Sequence, residues 1–334
     1  MSPARAAGSD KAVVAAAAAL RDASEIALAC HVGPDGDALG STLGLFHVLR
    51  AAGRPVVASF PDPFVVGPTF TGLPGLEDLV PPDKFPAAPE VMVTFDCGSL
   101  DRLGNLEPAA RAASELIVVD HHLSNDSYGT INLIEPDAAA SASVVLKLID
   151  ELGLELNRDA AFCLYVALIS DTGRFQYENT TPAVFEMARR LTEFDLPVAD
   201  LSRQLFEVDS FAYLRLLGEV LNGVELDSEF NLIWAVATNE MYERHGVKRE
   251  EAEGLIDIVR RAAESEVALL LREEPDSTTR GSLRSLGGVD VLAIAQTFGG
   301  GGHRLAAGFS SDKPPLEVLA LVRSELGAVG GQNG

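Results

Sequence analysis

Unbroken apolar runs alternating with helical patterns constrain this chain more than any other feature. The runs are 25–30 (EIALAC), 55–60 (PVVASF), 91–96 (VMVTFD), 115–120 (ELIVVD) and 131–134 (INLI). Their apolar residues are consecutive rather than alternate, the pattern of strands covered on both faces. Residues 38–52, 102–113, 141–152, 159–170 and 182–194 carry helical spacing. Strand–helix alternation implies a parallel sheet with right-handed crossovers, so the first half is expected to be α/β. Residues 160–169 (AAFCLYVALI) are apolar all round, and that helix is expected to be buried.

The pattern changes after Phe194. Residues 196–222 read as connecting helices. Strands are expected at 223–228 and 231–238, with Asn231 near the turn, then a helix at 249–263. Strands at 266–273 and 279–285, a helix at 290–298, a glycine run at 299–302, a strand at 306–311 and a helix at 315–327 complete it. This describes a second, smaller α+β domain with a mixed sheet. No repeat of solenoid period is present.

Length and charge bound the function. The 334 residues suffice for two domains of ~100–200 residues. A net charge of −23, from 49 acidic and 26 basic residues, repels long nucleic acid and excludes a general nucleic-acid coat. Small anions remain accessible through a metal or a local basic cluster. Three cysteines, Cys30, Cys97 and Cys163, with no CxxC, give no disulfide framework and fit a reducing cytoplasm. The run at 12–20 is interrupted by Arg21, Asp22 and Glu25, and reads as a first surface helix rather than a leader or membrane span. Residues 1–10 and 327–334 read as tails.

Four places in the first half share one design, an apolar element ending in metal-capable side chains. They are His31, Asp35 and Asp37 in CHVGPDGDALGS, then Asp96, then Asp120-His121-His122, then Asp171 in SDTGRF. Open parallel sheets bind ligands beyond the carboxyl ends of their strands. Three clusters follow strands 25–30, 91–96 and 115–120, and Asp171 ends the buried helix, so the four are expected to converge. Four aspartates with two histidines form a hard donor set that suits Mn²⁺ or Mg²⁺ better than zinc. Six ligands are too many for one catalytic ion that keeps waters. Shared through a bridging Asp, they suit two ions ~3.5–4 Å apart, which lower the pKa of a bridging water and neutralise phosphate. The reaction class implied is metal-assisted phosphoester hydrolysis.

Each residue also has an ordinary reading. An Asp after a strand is usually a helix N-cap, and for Asp37 before ALGSTL that is the default. Cys30 and Cys97 flank the clusters but lie in strand pattern, and His47 and His245 lie in helix pattern. Near the C-terminus, GGGGHRLAAGF (299–309) offers consecutive glycine amides able to form an anion nest, with His303 and Arg304 as further donors. Arg284, on the strand SLRS, suits a phosphate or a base.

Together these motifs resemble the DHH phosphoesterase family. HVGPDGDALGS is similar to its first motif, FDCGS to its second, VVDHHLSN to its third and SDTGRF to its fourth. GGGGHRLAAGF is similar to the motif of the DHH-associated C-terminal domain. The likeness covers residues 15–328 and lies nearest the nanoRNase and pAp-phosphatase branch, which includes enzymes acting on cyclic di-AMP or linear pApA.

The resemblance implies a catalytic, metal-binding DHH domain at 15–195, a helical linker at 196–222 and a substrate-binding domain at 223–328, with an active-site cleft between two lobes. It implies that His31, Asp35 and Asp96 hold one Mn²⁺ and that Asp37, Asp96, His121 and Asp171 hold the other, Mg²⁺ being the alternative. Asp120 would orient His121, and His122 would contact phosphate or move a proton. Arg284, Gly301, Gly302, His303 and Arg102 would hold substrate. The expected activity is hydrolysis of short oligoribonucleotides and linear or cyclic dinucleotides, with 3′-phosphatase action on pAp, by a cytoplasmic homodimer. A pyrophosphatase or exopolyphosphatase and a non-catalytic nucleotide sensor are the alternatives.

Overall fold

The computed structural model describes residues 3–252 and 254–330. It divides into two compact units, Met1–Val208 and Asp209–Gly334.

The first unit runs α1 (Pro3–Asp22), β1 (Ile26–Cys30), α2 (Gly36–Ala51), β2 (Val56–Ser59), β3 (Val91–Phe95), α3 (Glu107–Ala112), β4 (Glu115–Asp120), β5 (Ile131–Ile134), α4 (Ser141–Leu152), α5 (Arg158–Asp171), α6 (Pro182–Thr192) and α7 (Val198–Phe206). Its strands pair in parallel in the order β2-β1-β3-β4-β5. Alternate strand residues face opposite layers. Ile26, Leu28, Val93, Phe95 and Val119 join the core built by α1, α2, α4 and α5. Ala27, Ala29, Met92 and Leu116 meet Leu103 and Ala109 on the other face. Burial on both faces explains why these strands read as continuous apolar runs.

Helix α1 lays Val13, Ala16, Ala17 and Leu20 on the core, so only its outer face is a surface. Its last carbonyls, those of Leu20 and Arg21, and the Ala23 carbonyl beyond them each accept from Arg54 Nη2 at 2.8 Å. Positive charge at a helix C-terminus opposes the negative end of its dipole.

One expected helix and both expected tails need correction here. The helix expected at 102–113 is a 3-10 segment, Leu100–Leu106, kinked at Gly104, followed by the short α3. Gly104 adopts φ 48°, and Pro108 sits in the first turn of α3, where its missing N–H costs nothing. Residues 3–10 and 327–330, expected as tails, are helical, while residues 1–2 and 331–334 lie outside the described residues.

Helices α2 and α5 cross closely because α2 carries Gly36, Gly40 and Gly44 along one face. A Cβ on Gly40 would sit 2.4 Å from the Cys163 carbonyl oxygen, and one on Gly36 would sit 2.1 Å from Ser170 Oγ. The stripe places the start of α2 beside the end of α5.

The second unit runs α8 (Phe211–Asn222), β6 (Glu225–Asp227), β7 (Leu232–Ala237), α9 (Asn239–His245), α10 (Leu255–Val259), β8 (Val267–Glu273), β9 (Thr279–Ser285), α11 (Val291–Thr297), β10 (Gly301–His303), β11 (Ala306–Ser311) and α12 (Pro315–Gly330). Its strands are ordered β10-β11-β9-β8-β7-β6, with β7–β8 parallel and the other pairs antiparallel. Leu269 and Trp234 face α11 and α12, and Leu270 and Ile233 face α8, α9 and α10. The helix expected at 249–263 is a 3-10 turn, Arg249–Ala252, followed by α10. Gly254, a poor helix former, precedes α10.

Candidate metal centre

Strand order β2-β1-β3 reverses direction of build between β1 and β3, and ligands collect at such switch points. His31 follows β1, Asp96 follows β3, and Asp120 ends β4 with His121 and His122 after it. Asp35 and Asp37 open α2, and Asp171 closes α5, so the glycine-mediated crossing delivers these carboxylates to the same sheet end.

Two groups result. His31 Nε2 lies 3.9 Å from Asp35 Oδ2 and 3.5 Å from Asp96 Oδ2. His121 Nε2 lies 3.8 Å from Asp37 Oδ2, 3.4 Å from Asp96 Oδ1 and 3.1 Å from Asp171 Oδ2. Donors at about 2.1 Å in an octahedron are about 3.0 Å apart when adjacent and about 4.2 Å when opposite. All five separations fall in that interval, and four exceed the usual hydrogen-bond range. Asp96 gives one oxygen to each histidine, the arrangement of a bridging carboxylate. Its backbone adopts φ 53°, a left-handed conformation that costs an Asp about 1 kcal/mol or more and clusters at functional sites.

The histidines are aimed by their other ring nitrogen. His31 Nδ1 lies 2.9 Å from the Val32 carbonyl and His121 Nδ1 lies 3.2 Å from the Ala138 carbonyl. Donation there leaves His121 Nε2 as the lone-pair nitrogen toward the carboxylates, whereas His31 Nδ1 is shared between the Val32 carbonyl and a guanidinium. Arg102 Nη2 also approaches His31 Nδ1, at 2.8 Å, so Arg102 reaches the cluster from its exposed 3-10 segment.

Asp120 acts differently from expectation. Its Oδ1 accepts from the His122 Nδ1–H at 2.7 Å and from the amides of His121 and His122 at 2.7 and 3.1 Å. The carboxylate therefore sets the ring of His122, while the Ala138 carbonyl sets that of His121. Asn125 Nδ2 donates to Asp120 Oδ2 and to the Cys97 carbonyl, tying the β4 loop to the β3 loop.

Capping also differs. Asp35, not Asp37, caps α2, its Oδ1 accepting from the Asp37 and Ala38 amides at 3.1 and 3.0 Å. Asp37, fully buried, crosses to α4. It accepts from the Ser141 amide at 2.6 Å, the Ala142 amide at 3.0 Å and Ser41 Oγ at 3.0 Å. Ser141 Oγ donates to Asp96 Oδ1 at 3.0 Å. Ser141, Asn125 and the glycine stripe of α2 were not singled out from sequence. The i, i+4, i+8 glycines carried a signal, but the serine did not.

The electrostatics favour a cation. Burial pushes Asp37 well above the usual carboxylate range, and Asp171 and Asp96 push it further. Burial raises Asp171 to about 6. Asp96 moves the opposite way: burial alone would raise it, but the adjacent His121 and His31 rings hold it well below its ordinary value. Burial disfavours charge on His121, yet Asp171 and Asp96 outweigh it and raise its proton affinity well above normal. His122 is raised likewise, with burial opposing and Asp120 prevailing. Carboxylates that favour a proton on these rings also favour a cation beside them. The donor set and spacing therefore fit a two-ion centre. Thiolate ligation is disfavoured, because burial pushes the Cys97 thiol up to about 12 and Cys30 higher still. His47 Nε2 meets the Pro74 carbonyl at 2.9 Å and His245 Nε2 meets Glu219 at 2.6 Å, both structural placements.

In the second unit the glycine run is not an anion nest. The amides of Gly299 and Gly300 close the end of α11, and Gly301–His303 pairs with β11. The register gives the motif a different use. His303 pairs with Ala306, and Ala306 pairs with Arg284, so all three share one face of the sheet. Arg284 and His303 thus flank a small residue at two strand spacings, roughly 10 Å. Arg284 Nε also lies 3.5 Å from Asp257 Oδ1.

A parallel sheet presenting a shared-carboxylate His/Asp cluster is the architecture of a metal-dependent phosphoester hydrolase. Two family models match this chain, the DHH family N-terminal domain over residues 25–168 and the DHHA1 domain over residues 233–327. The chain belongs to the DHH family of phosphoesterases. It is 33% identical over 314 residues to the bifunctional oligoribonuclease and PAP phosphatase NrnA of Thermus thermophilus, covering 91% of each chain. It is 29% identical over 285 residues to the protein of the same name from Bacillus subtilis, covering 84% of this chain and 87% of that one. The fold matches an exopolyphosphatase-related protein from Bacteroides fragilis with a TM-score of 0.88 at 24% identity, covering 96% of each chain. No helix among the described residues is long and apolar enough to cross a membrane.

Proposed function

We propose that this protein is a Mn²⁺-dependent phosphodiesterase that hydrolyses short oligoribonucleotides and linear or cyclic dinucleotides to mononucleotides, with 3′-phosphatase action on pAp. The observation that carries it is Asp96, whose two oxygens face His31 and His121 separately. The names of the Thermus and Bacillus relatives support the substrate class. His31, Asp35 and Asp96 would hold one ion, and Asp37, Asp96, His121 and Asp171 the other, with Mg²⁺ as the substitute. The ions, when bound, supply Lewis-acid activation of water and neutralisation of phosphate charge.

The chain's own residues do the rest. Hydrolysis forms a bond from water oxygen to phosphorus and breaks the bond to the leaving ribose oxygen, which needs a proton. His122 is suited to give it: Asp120 fixes its ring and favours its protonated form. Arg102 offers a guanidinium beside His31 to the phosphate undergoing attack. In the second unit we assign Arg284 and His303 to the substrate's terminal phosphate, with Gly301 and Gly302, which carry no side chains, leaving room for it beside them. The first unit is the catalytic domain and the second the substrate domain of this reading. An acidic chain is suited to short substrates, because few nucleotides need holding against its charge. A cytoplasmic homodimer is the setting we assign, on the unpaired thiols and the family likeness.

The test is a substrate panel with Mn²⁺. Release of AMP from pApA or of phosphate from pAp is the expected outcome. Phosphate release from pyrophosphate alone would overturn the reading in favour of a pyrophosphatase.

A further inference from the structure

We propose that Ser141 is a positioning residue that holds Asp96 in its bridging pose, so that the α4 entry segment sets the second metal position. This rests on the two-ion reading above. Residues 138–142 bond three of the six candidate ligands directly and are joined to a fourth, Asp171, through Asn179. The Ala138 carbonyl faces His121 Nδ1 at 3.2 Å. Asn179 Nδ2 donates to the Ala139 and Asp171 carbonyls at 3.0 Å each, joining this segment to the end of α5. The Ser141 and Ala142 amides hold Asp37, and Ser141 Oγ holds Asp96 Oδ1. All four ligands, His121, Asp171, Asp37 and Asp96, belong to the second ion's set, and among the described residues the segment makes no hydrogen bond to His31 or Asp35.

Asp96 is the ligand most in need of such a hold. It must direct one oxygen to each ion. Rotation about its Cβ–Cγ bond would turn both oxygens out of line with His31 and His121. The Ser141 hydroxyl fixes Oδ1 on the His121 side. Ser141 and Asp96 are both buried, with relative exposures of 0% and 5%, so water is poorly placed to replace the lost donor.

Calorimetric titration of the metal-free protein with Mn²⁺ tests this. Wild type should take two ions. Ser141→Ala should keep the first and bind the second ~10–100-fold more weakly, the usual effect of removing a group that orients a ligand. Its metal-free melting temperature should fall no further than that of Thr42→Val, which also loses a buried hydroxyl. Thr42→Val controls for loss of a buried hydroxyl, since Thr42 Oγ1 bonds the Ala38 carbonyl within its own helix, and it should keep both ions. Unchanged affinity for both ions in Ser141→Ala overturns the inference while the two-ion reading stands. Equal weakening of both ions together with a melting temperature below that of Thr42→Val also overturns it, in favour of a purely structural serine. Fewer than two ions in wild type instead overturns the two-ion reading.

Discussion

Gly40→Ala places a methyl carbon 2.4 Å from the Cys163 carbonyl oxygen and 2.8 Å from Ala167 Cβ. Comfortable contacts are about 3.5 Å, so α2 and α5 must part by roughly 1 Å. Overpacking of this kind costs about 1–3 kcal/mol, and the better helix propensity of Ala returns about 1 kcal/mol. Stability should therefore fall by at most about 2 kcal/mol. Activity should fall further. The crossing sets Asp37 against Asp171, and a shift of about 1 Å in a reacting constellation can cost ~10²-fold in rate. Gly44→Ala is the control. There the new methyl meets Leu164 Cδ2 at 2.7 Å and Cγ at 2.8 Å, side-chain atoms that can shift while the α5 backbone stays in place. It should retain wild-type turnover while losing no more stability than Gly40→Ala. Mn²⁺-dependent hydrolysis and calorimetric melting measure both variants. Wild-type turnover in Gly40→Ala, or equal behaviour of the two, would refute the claim that this crossing sets the metal geometry.

Asp120→Asn should lower turnover ~10²–10⁴-fold, the usual range of general acid–base catalysis, because His122 loses the carboxylate charge that favours its protonated form. Metal content should stay at the wild-type level, so a parallel loss of bound metal would assign Asp120 to the metal site instead. Arg54→Ala removes three bonds to the carbonyls at and just beyond the end of α1 and should cost about 2 kcal/mol without changing turnover, read by thermal melting. Acid should compete with metal. Asp171 is raised to about 6 by burial, so the folded protein holds that proton more tightly than the unfolded chain. Between about pH 7 and about pH 5 the metal-free protein should gain stability while its apparent Mn²⁺ affinity falls. Affinity that does not change over that interval would contradict the assignment of Asp171 as a ligand.

Much of this was legible in the sequence because strand periodicity and strand-end chemistry reinforce each other. The five parallel strands stand where their apolar runs lie, and His31, Asp35, Asp37, Asp96, His121 and Asp171 all reach one sheet end. What stayed hidden depends on contacts distant along the chain. Asp37 was read as capping the helix it sits in, but it bonds Ser141, 104 positions on. Asp120 was paired with His121, whereas the turn after β4 brings His122 back onto it. Consecutive glycines near 300 suggested an anion nest, yet Gly301 and Gly302 face Gly308 and Ala307 across a hairpin that local sequence does not announce. The helix expected at 249–263 had the right spacing, but Gly254 outweighs periodicity there.

Electron paramagnetic resonance of Mn²⁺-loaded protein tests the central claim most directly. A pair of ions sharing the Asp96 carboxylate should give an exchange-coupled spectrum that saturates at two ions per chain, and Asp96→Asn should abolish the coupling. A spectrum of magnetically isolated ions, or saturation at one ion per chain, would contradict the account.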